Sequence, residues 1–458
     1  MSLDQVLAHI DSDQDNALNR LLELLRIQSI STDSAFAKDC DAAADWLVED
    51  LKSLGFDASK RPTPGHPMVM GHADGSGPHL LFYGHYDVQP VDPLDLWDND
   101  PFDPQIEDTP KGKVIRGRGT SDDKGQLMTF VEACRAWKSV HGTLPAKISL
   151  FFEGEEESGS PSLVPFMKEN ADELKADVAL ICDTGLFGDS TPAIVTRLRG
   201  LLGEELTITG PSKDLHSGMY GGIARNPVRV LAKIIASLHD ENGRITVPDF
   251  YEGVPELSNE LAAAWDDLKF DEKDFLGSVG LSEPAGEKGR RPLEMIWSQP
   301  TCEVNGMKSG YTGDGFKTVL PSKASAKISV RLVGTQDPLK LRENFRAMVS
   351  AMVPADCQIS FADHGASAAG QMSTADPAFA KACTALTAEF DQTAAYVGCG
   401  GSIPIAGHFK SILGMDAMLI GFGKDDDQIH SPNEKYDLTS FHKGIRSWAR
   451  VLDALTRA

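Results

Sequence analysis

Several short segments of this chain combine carboxylates and histidines at similar places. His85 and Asp87 lie in GHYDVQP, Asp122 and Asp123 in GRGTSDDKG, and Glu153, Glu155, Glu156 and Glu157 in EGEEESGS. Asp183 follows VALIC, and His430 lies in GKDDDQIHSPNEK. Carboxylates gathered without partners would repel and raise one another's pKa. Divalent cations are the simplest group that lets them coexist. Hard oxygen ligands with two imidazoles suit zinc, manganese or cobalt rather than calcium, and no thiolate is needed. Five or six candidate ligands exceed the roughly three that one catalytic zinc takes. Two metals sharing a carboxylate, ~3.5–4 Å apart, fit better, and hydrolysis is the usual use of that arrangement. Each residue taken alone has a plainer reading: Asp122 as a helix N-cap, His85 and Asp87 as a strand-end pair, the glutamates as a solvated turn, Asp183 as a turn former, His430 as surface. Their joint placement at successive strand ends favours one site.

The elements that must position these residues are legible as apolar runs. LLFYG (80–84), KISLFF (147–152) and VALIC (178–182) read as buried strands, each leading into the acids or histidine above. Between the first two, Leu127, Phe130, Val131 and Cys134 recur at helical spacing, and a first amphipathic helix covers Ala17 to Ile27 with Leu18, Leu21, Leu22 and Leu25 on one face. Strands alternating with helices predict an α/β fold, a mostly parallel sheet with helices on both faces and ligands at the strands' carboxyl ends. His85 and Asp87, two apart on an extended chain, share a side.

Near Gly200 the pattern changes. GEELTITG and KASAKISVRLV (323–333) alternate as half-exposed strands, and 226–239 reads as a helix with Val228, Leu231, Ile235 and Leu238 on one apolar face. This predicts a catalytic domain over 1–199, an inserted α+β domain over 200–369, and completion of the first domain over 370–458. The apolar face of the 226–239 helix would suit a partner.

Composition narrows the class. A formal charge of −23 over 458 residues disfavours nucleic acid and anionic membranes as partners. Seven scattered cysteines, never as C-x-x-C, argue against a disulfide framework and a thiolate zinc site, and point to a reducing cytoplasm. The acidic N-terminal stretch does not read as a signal peptide. RGRGTSDDKG lacks dinucleotide-site spacing, and GCGGSIP (398–404) is not G-x-S-x-G, so a substrate-contacting glycine loop is preferred there.

GHYDVQP, GRGTSDDKG, EGEEESGS, DLHSGMYGG and IHSPNE occur in an order and spacing that resemble the dinuclear metallopeptidases, a family that includes carnosinase and other cytosolic dipeptidases, carboxypeptidase G, aminoacylase and succinyl-diaminopimelate desuccinylase. DLHSGMYGG and EGEEESGS are most similar to the carnosinase-like branch. The resemblance implies a zinc-exopeptidase-like catalytic domain holding two divalent ions, Zn²⁺ or Mn²⁺. His85 and Asp183 would bind one ion, Glu157 and His430 the other, and Asp122 would bridge them. Glu156 would be the general base for a metal-bridging hydroxide, and Asp87 would orient the His85 imidazole. It implies a cis peptide between Asp122 and Asp123. It further implies an inserted domain serving as lid and homodimer interface, with His216 reaching the partner's site to stabilise the oxyanion, and Arg331, aided by Ser402, gripping the substrate carboxylate. The expected activity is hydrolysis of dipeptides or short peptides with a free C-terminal carboxylate. The alternatives are an amidohydrolase acting on N-acyl amino acids, or a non-catalytic metal-binding protein, which the presence of Glu156 and Asp87 disfavours.

Overall fold

The computed structural model describes residues 1–401 and 403–457. In chain order, the elements that matter to the site are β1 (Asp57–Arg61), β2 (Met68–Ala73), β3 (His79–His85), α1 (Lys124–His141), β4 (Lys147–Glu153), β5 (Val178–Ile181) and β6 (Ala193–Leu198). Then come β7 (Gly200–Thr209), α2 (Pro227–Ala236), β8 (Thr301–Ser309), β9 (Lys323–Leu332), α3 (Pro338–Ala351) and β10 (Gln358–Ser367). The chain closes with α4 (Pro377–Phe390), β11 (Ala417–Ile420) and α5 (Leu438–Thr456).

Two compact units result. The first comprises Met1–Thr196, Met372–Val397 and His408–Ala458, and the second Arg197–Gln371 with Gly398–Gly407. In the first, the strands run in the order β1-β2-β4-β3-β5-β11-β6. The central β4, β3, β5 and β11 are parallel, flanked by antiparallel pairs. Alternating side chains of β3 serve both faces. Phe82 stacks on Phe130 of α1 at 3.9 Å between centroids and meets Trp448 of α5 edge-on, whereas Tyr83 meets Phe151 and Phe409. A strand buried on both faces explains the unbroken apolar run LLFY. Helix α1 ends where Gly142 takes a left-handed φ of 72°, the conformation glycine adopts most cheaply.

The second unit contains an antiparallel sheet in the order β8-β9-β7-β10. Along β9 the residues Ala324, Ala326, Ile328, Val330 and Leu332 are buried, so one face packs against α2 and α3. Arg331 therefore belongs to the opposite face. Helix α2 is capped by the Asn226 side chain, which accepts from the Val228 amide, with Pro227 at its first turn. It is shorter than the sequence pattern predicts, and its apolar face is not free. Val230, Leu231, Ile234 and Leu238 are buried in this unit's own core, with Val228 and Ile235 packed against it. The sheet beneath, not a partner, is what that face was patterned for. A helix over Leu3–Ser12 precedes the amphipathic helix predicted from Ala17, which spans Gln14–Leu25 and buries Ala17, Leu21, Leu24 and Leu25, so Leu18 and Leu22 lie at the margin of its buried face. Among the described residues no helix is long and apolar enough to cross a membrane.

Candidate active site

Strand β3 delivers His85 to the carboxyl edge of the parallel sheet, fully buried. There the loop before α1 approaches closely. A Cβ on Gly84 would meet Asp123 Oδ2 at 3.0 Å and the Leu127 side chain at 3.2 Å, so a larger residue at this strand end would press on both. Asp123 Oδ2 accepts from the His85 amide at 3.1 Å, tying the loop to the strand. The peptide between Asp122 and Asp123 is cis.

Asp122 is the centre of the arrangement. Its Oδ1 lies 3.1 Å from His85 Nε2 and its Oδ2 lies 2.9 Å from His430 Nε2. Two imidazoles from distant parts of the chain thus address the two oxygens of one carboxylate. Asp183, just past β5, joins His85 and Asp122 in one group whose donor atoms lie within 4.8 Å of each other, and Glu157 joins Asp122 and His430 in another. His430 Nε2 is 3.2 Å from Glu157 Oε2. All five residues expected as ligands are brought together in two triads sharing Asp122.

The remaining acids sort themselves by what they touch. Asp87 is fully buried; its Oδ1 lies 3.3 Å from His85 Nδ1, and its two oxygens accept from the Glu156 and Glu157 amides at 3.3 and 3.0 Å. One carboxylate therefore contacts the imidazole of one triad and the backbone that carries Glu157 of the other. Glu155 turns away, accepting from the amides of His66 and Ser162, and Glu153 accepts from the Tyr83 hydroxyl. Gln89, which the sequence did not single out, donates to Glu157 Oε2 at 2.7 Å. Its place two residues beyond Asp87 on an extended segment was the available signal.

Electrostatics match this crowding. Burial opposes a charged His85, yet hydrogen bonds to Asp122 and Asp87 hold its pKa well above the usual histidine range. Burial likewise opposes ionised Asp122, and hydrogen bonds from His430 and His85 hold its carboxyl below the usual range. His430 is raised to about 10, first by its bond to Asp122 and then by Glu157. Burial, with the charge of Asp122, pushes Asp183 well up. Glu156 rises to about 7, mainly through burial, with Glu157, Asp122 and Asp87 adding to it against His85. With both imidazoles neutral, as ligation requires, the carboxylates of Asp122, Glu156, Glu157 and Asp183 need positive charge from elsewhere, and this all-oxygen and imidazole donor set fits two divalent cations. His430 is 52% exposed, unlike His85, so access is from its side. A cleft of about 390 Å³ lined by residues including Thr184, Gly185, Asp425 and Ile429 adjoins Asp183 and His430 along the chain.

The other expected site residues lie in the second unit or outside the described residues. His216 is exposed, and its Nδ1 accepts from the Gly218 amide at 3.0 Å. Arg331 is half-buried on β9, paired in register with Thr301 and Leu201. Ser402 is the one that lies outside the described residues.

Comparison with known proteins agrees with the geometry. Residues 81–454 match the model of peptidase family M20/M25/M40. The chain is 31% identical to a Cys-Gly metallodipeptidase of Schizosaccharomyces pombe, over 99% of this chain and 98% of that one. It is 27% identical to the Beta-Ala-His dipeptidase of Rattus norvegicus, over 98% and 91% respectively. An M20 family metallo-carboxypeptidase from Sulfolobus solfataricus superposes with a TM-score of 0.83 at 32% identity, covering 96% of this chain and 99% of that one.

Proposed function

Because the chain belongs to peptidase family M20/M25/M40, we propose that it cleaves dipeptides and short peptides bearing a free C-terminal carboxylate, with Glu156 as its proton-transfer group. It is a metal-dependent dipeptidase, like the Cys-Gly metallodipeptidase it resembles; the assignment of roles to individual residues is our reading. The observation that carries it is the shared Asp122, each of whose oxygens faces a different imidazole.

In this reading His85 and Asp183 would hold one divalent ion and Glu157 and His430 the second, with Asp122 available to either, and zinc or manganese are the candidates. When bound, the ions supply Lewis acidity that polarises the scissile carbonyl and lowers the pKa of water toward ~7. Glu156 removes the proton from the attacking water and returns it to the leaving amine, a role its pKa near 7 suits. Asp87 fixes the tautomer of His85, whose Nδ1 also lies 3.1 Å from the Asp87 carbonyl oxygen. Arg331 binds the substrate carboxylate with Ser402, since a guanidinium matches a carboxylate in two-point geometry. His216 stabilises the oxyanion of a partner subunit's reaction, the second unit serving as lid and dimer surface. Met219 and Ile223, 75% and 87% exposed close to His216, support a partner surface there. Seven free cysteines support a cytoplasmic location.

The test is a hydrolysis panel on metal-stripped enzyme reloaded separately with zinc and manganese, using free dipeptides, C-amidated dipeptides and N-acetyl amino acids. Cleavage of free dipeptides alone is the expected outcome. Turnover of N-acetyl amino acids alone would move the protein to the deacylase reading. No turnover by either loaded form would leave a metal-binding protein without catalysis.

A further inference from the structure

Two buried carboxylates that bracket His430 both grip the loop carrying Asp122. Glu434 is fully buried, and its Oε1 accepts from the backbone amides of Ser121 and Asp122 at 3.0 and 3.1 Å. Its Oε2 accepts from the Gly119 amide at 3.1 Å and from Arg118 Nη1 at 2.7 Å. On the other side of His430, the equally buried Asp427 accepts through Oδ2 from Ser121 Oγ at 2.7 Å and the Lys424 amide at 2.8 Å, and through Oδ1 from Lys435 Nζ at 2.8 Å. Neutralising Arg118 would require one oxygen of Glu434. Both are instead engaged by three amides of one short loop.

The segment between these anchors is conformationally costly. Gln428, His430 and Asn433 all have left-handed φ values, of 56°, 61° and 64°, and non-glycine residues stay in that region only where their surroundings over-determine them. Asn433 adds a third tether, accepting from the Asp98 amide at 2.8 Å and donating to the Leu96 carbonyl at 3.1 Å. His85 approaches the other oxygen of Asp122 from β3 and is oriented by Asp87, with neither Glu434 nor Asp427 among its hydrogen-bond partners. Asp87 touches both halves of the site, whereas Glu434 and Asp427 brace the loops that carry Asp122 and His430.

We propose that Glu434 and Asp427 form a two-point clamp that sets the register between the Asp122 loop and the His430 loop, and so are positioning residues for the ion held by Asp122, Glu157 and His430. The clamp rests on the two-ion reading of the site and adds an asymmetry to it: both positions share Asp122, but only one also depends on His430, so loss of the clamp weakens the His430 position more than the other.

The experiment measures stepwise zinc binding to the full chain by competition with a fluorescent chelator, alongside the melting temperature of the metal-free protein, for wild type, Glu434→Gln and Asp427→Asn. His430→Ala identifies which step belongs to the Glu157/His430 position. Wild type binding fewer than two ions would end the two-ion reading itself, whatever the variants do. Given two wild-type steps, Glu434→Gln should raise the dissociation constant of the His430-dependent step by about 10–100-fold and weaken the other step, which shares only Asp122 with it, by clearly less. Should Glu434→Gln fail to fold, Asp427→Asn is expected to weaken the same step. Equal weakening of both steps, or a lowered melting temperature with both constants intact, would overturn the clamp and leave an ordinary buried ion pair.

Discussion

The carboxyl edge of the parallel sheet and the turn around His216 treat functional side chains in opposite ways. At the sheet edge His85, Asp87 and Asp122 are buried, and each is held by at least one further buried group. His216 is exposed at the end of a two-residue strand, and its ring accepts from the backbone amide two residues on. Groups that must share a fixed cation geometry are built into rigid strand ends and crowded loops, where small displacements are costly. A group proposed to act on another subunit has no such requirement in the free chain.

The comparison is broken most decisively at Glu156. Glu156→Gln keeps size and removes the proposed base, so kcat should fall by about 10²–10⁴-fold with metal content unchanged by elemental analysis. Retained turnover would show that the proton moves through another group. His216→Ala probes the second region. Loss of one oxyanion donor should lower kcat by about 10²–10³-fold, again with both ions bound. Mixing that variant with Glu156→Gln sharpens the contrast, because a His216→Ala subunit keeps its own Glu156 and would receive His216 from a Glu156→Gln partner. Recovery of part of the activity in the mixed sample is the expected result, and its absence would return His216 to its own subunit.

The rigid region was the legible one. Unbroken apolar runs such as LLFY and VALI exist because parallel strands are covered on both faces, and each ends where the chain must turn at the sheet edge, so ligand candidates could be found in the few residues just past each strand. Spatial strand order was not legible, since β4 sits between β2 and β3 through contacts that no local pattern encodes. Gln89, Asp427 and Glu434 were missed for a related reason: they lie in polar loops, where an acid buried against backbone amides looks the same in sequence as one in solvent. The apolar face of α2 was read as a partner surface because periodicity shows that a face is buried and not what buries it. Here its own sheet does.

Arg331 carries the smallest and most specific expectation. It lies on the face of β9 opposite the core, half-buried, so its replacement leaves the buried face of the strand unchanged. A charged hydrogen-bonded contact to a substrate carboxylate is worth about 1.5–3 kcal/mol, or roughly 10–150-fold in kcat/KM at about 1.4 kcal/mol per tenfold. Arg331→Met should lose that much on free dipeptides, mostly through KM, and lose almost nothing on C-amidated ones, which cannot form the contact in either enzyme. The ratio between the two substrates is what isolates the interaction, because a general disturbance of the second unit would lower both rates together. A variant that still discriminates against the amide as wild type does would transfer carboxylate recognition to the Gly398–Gly407 loop, which clusters with the same unit.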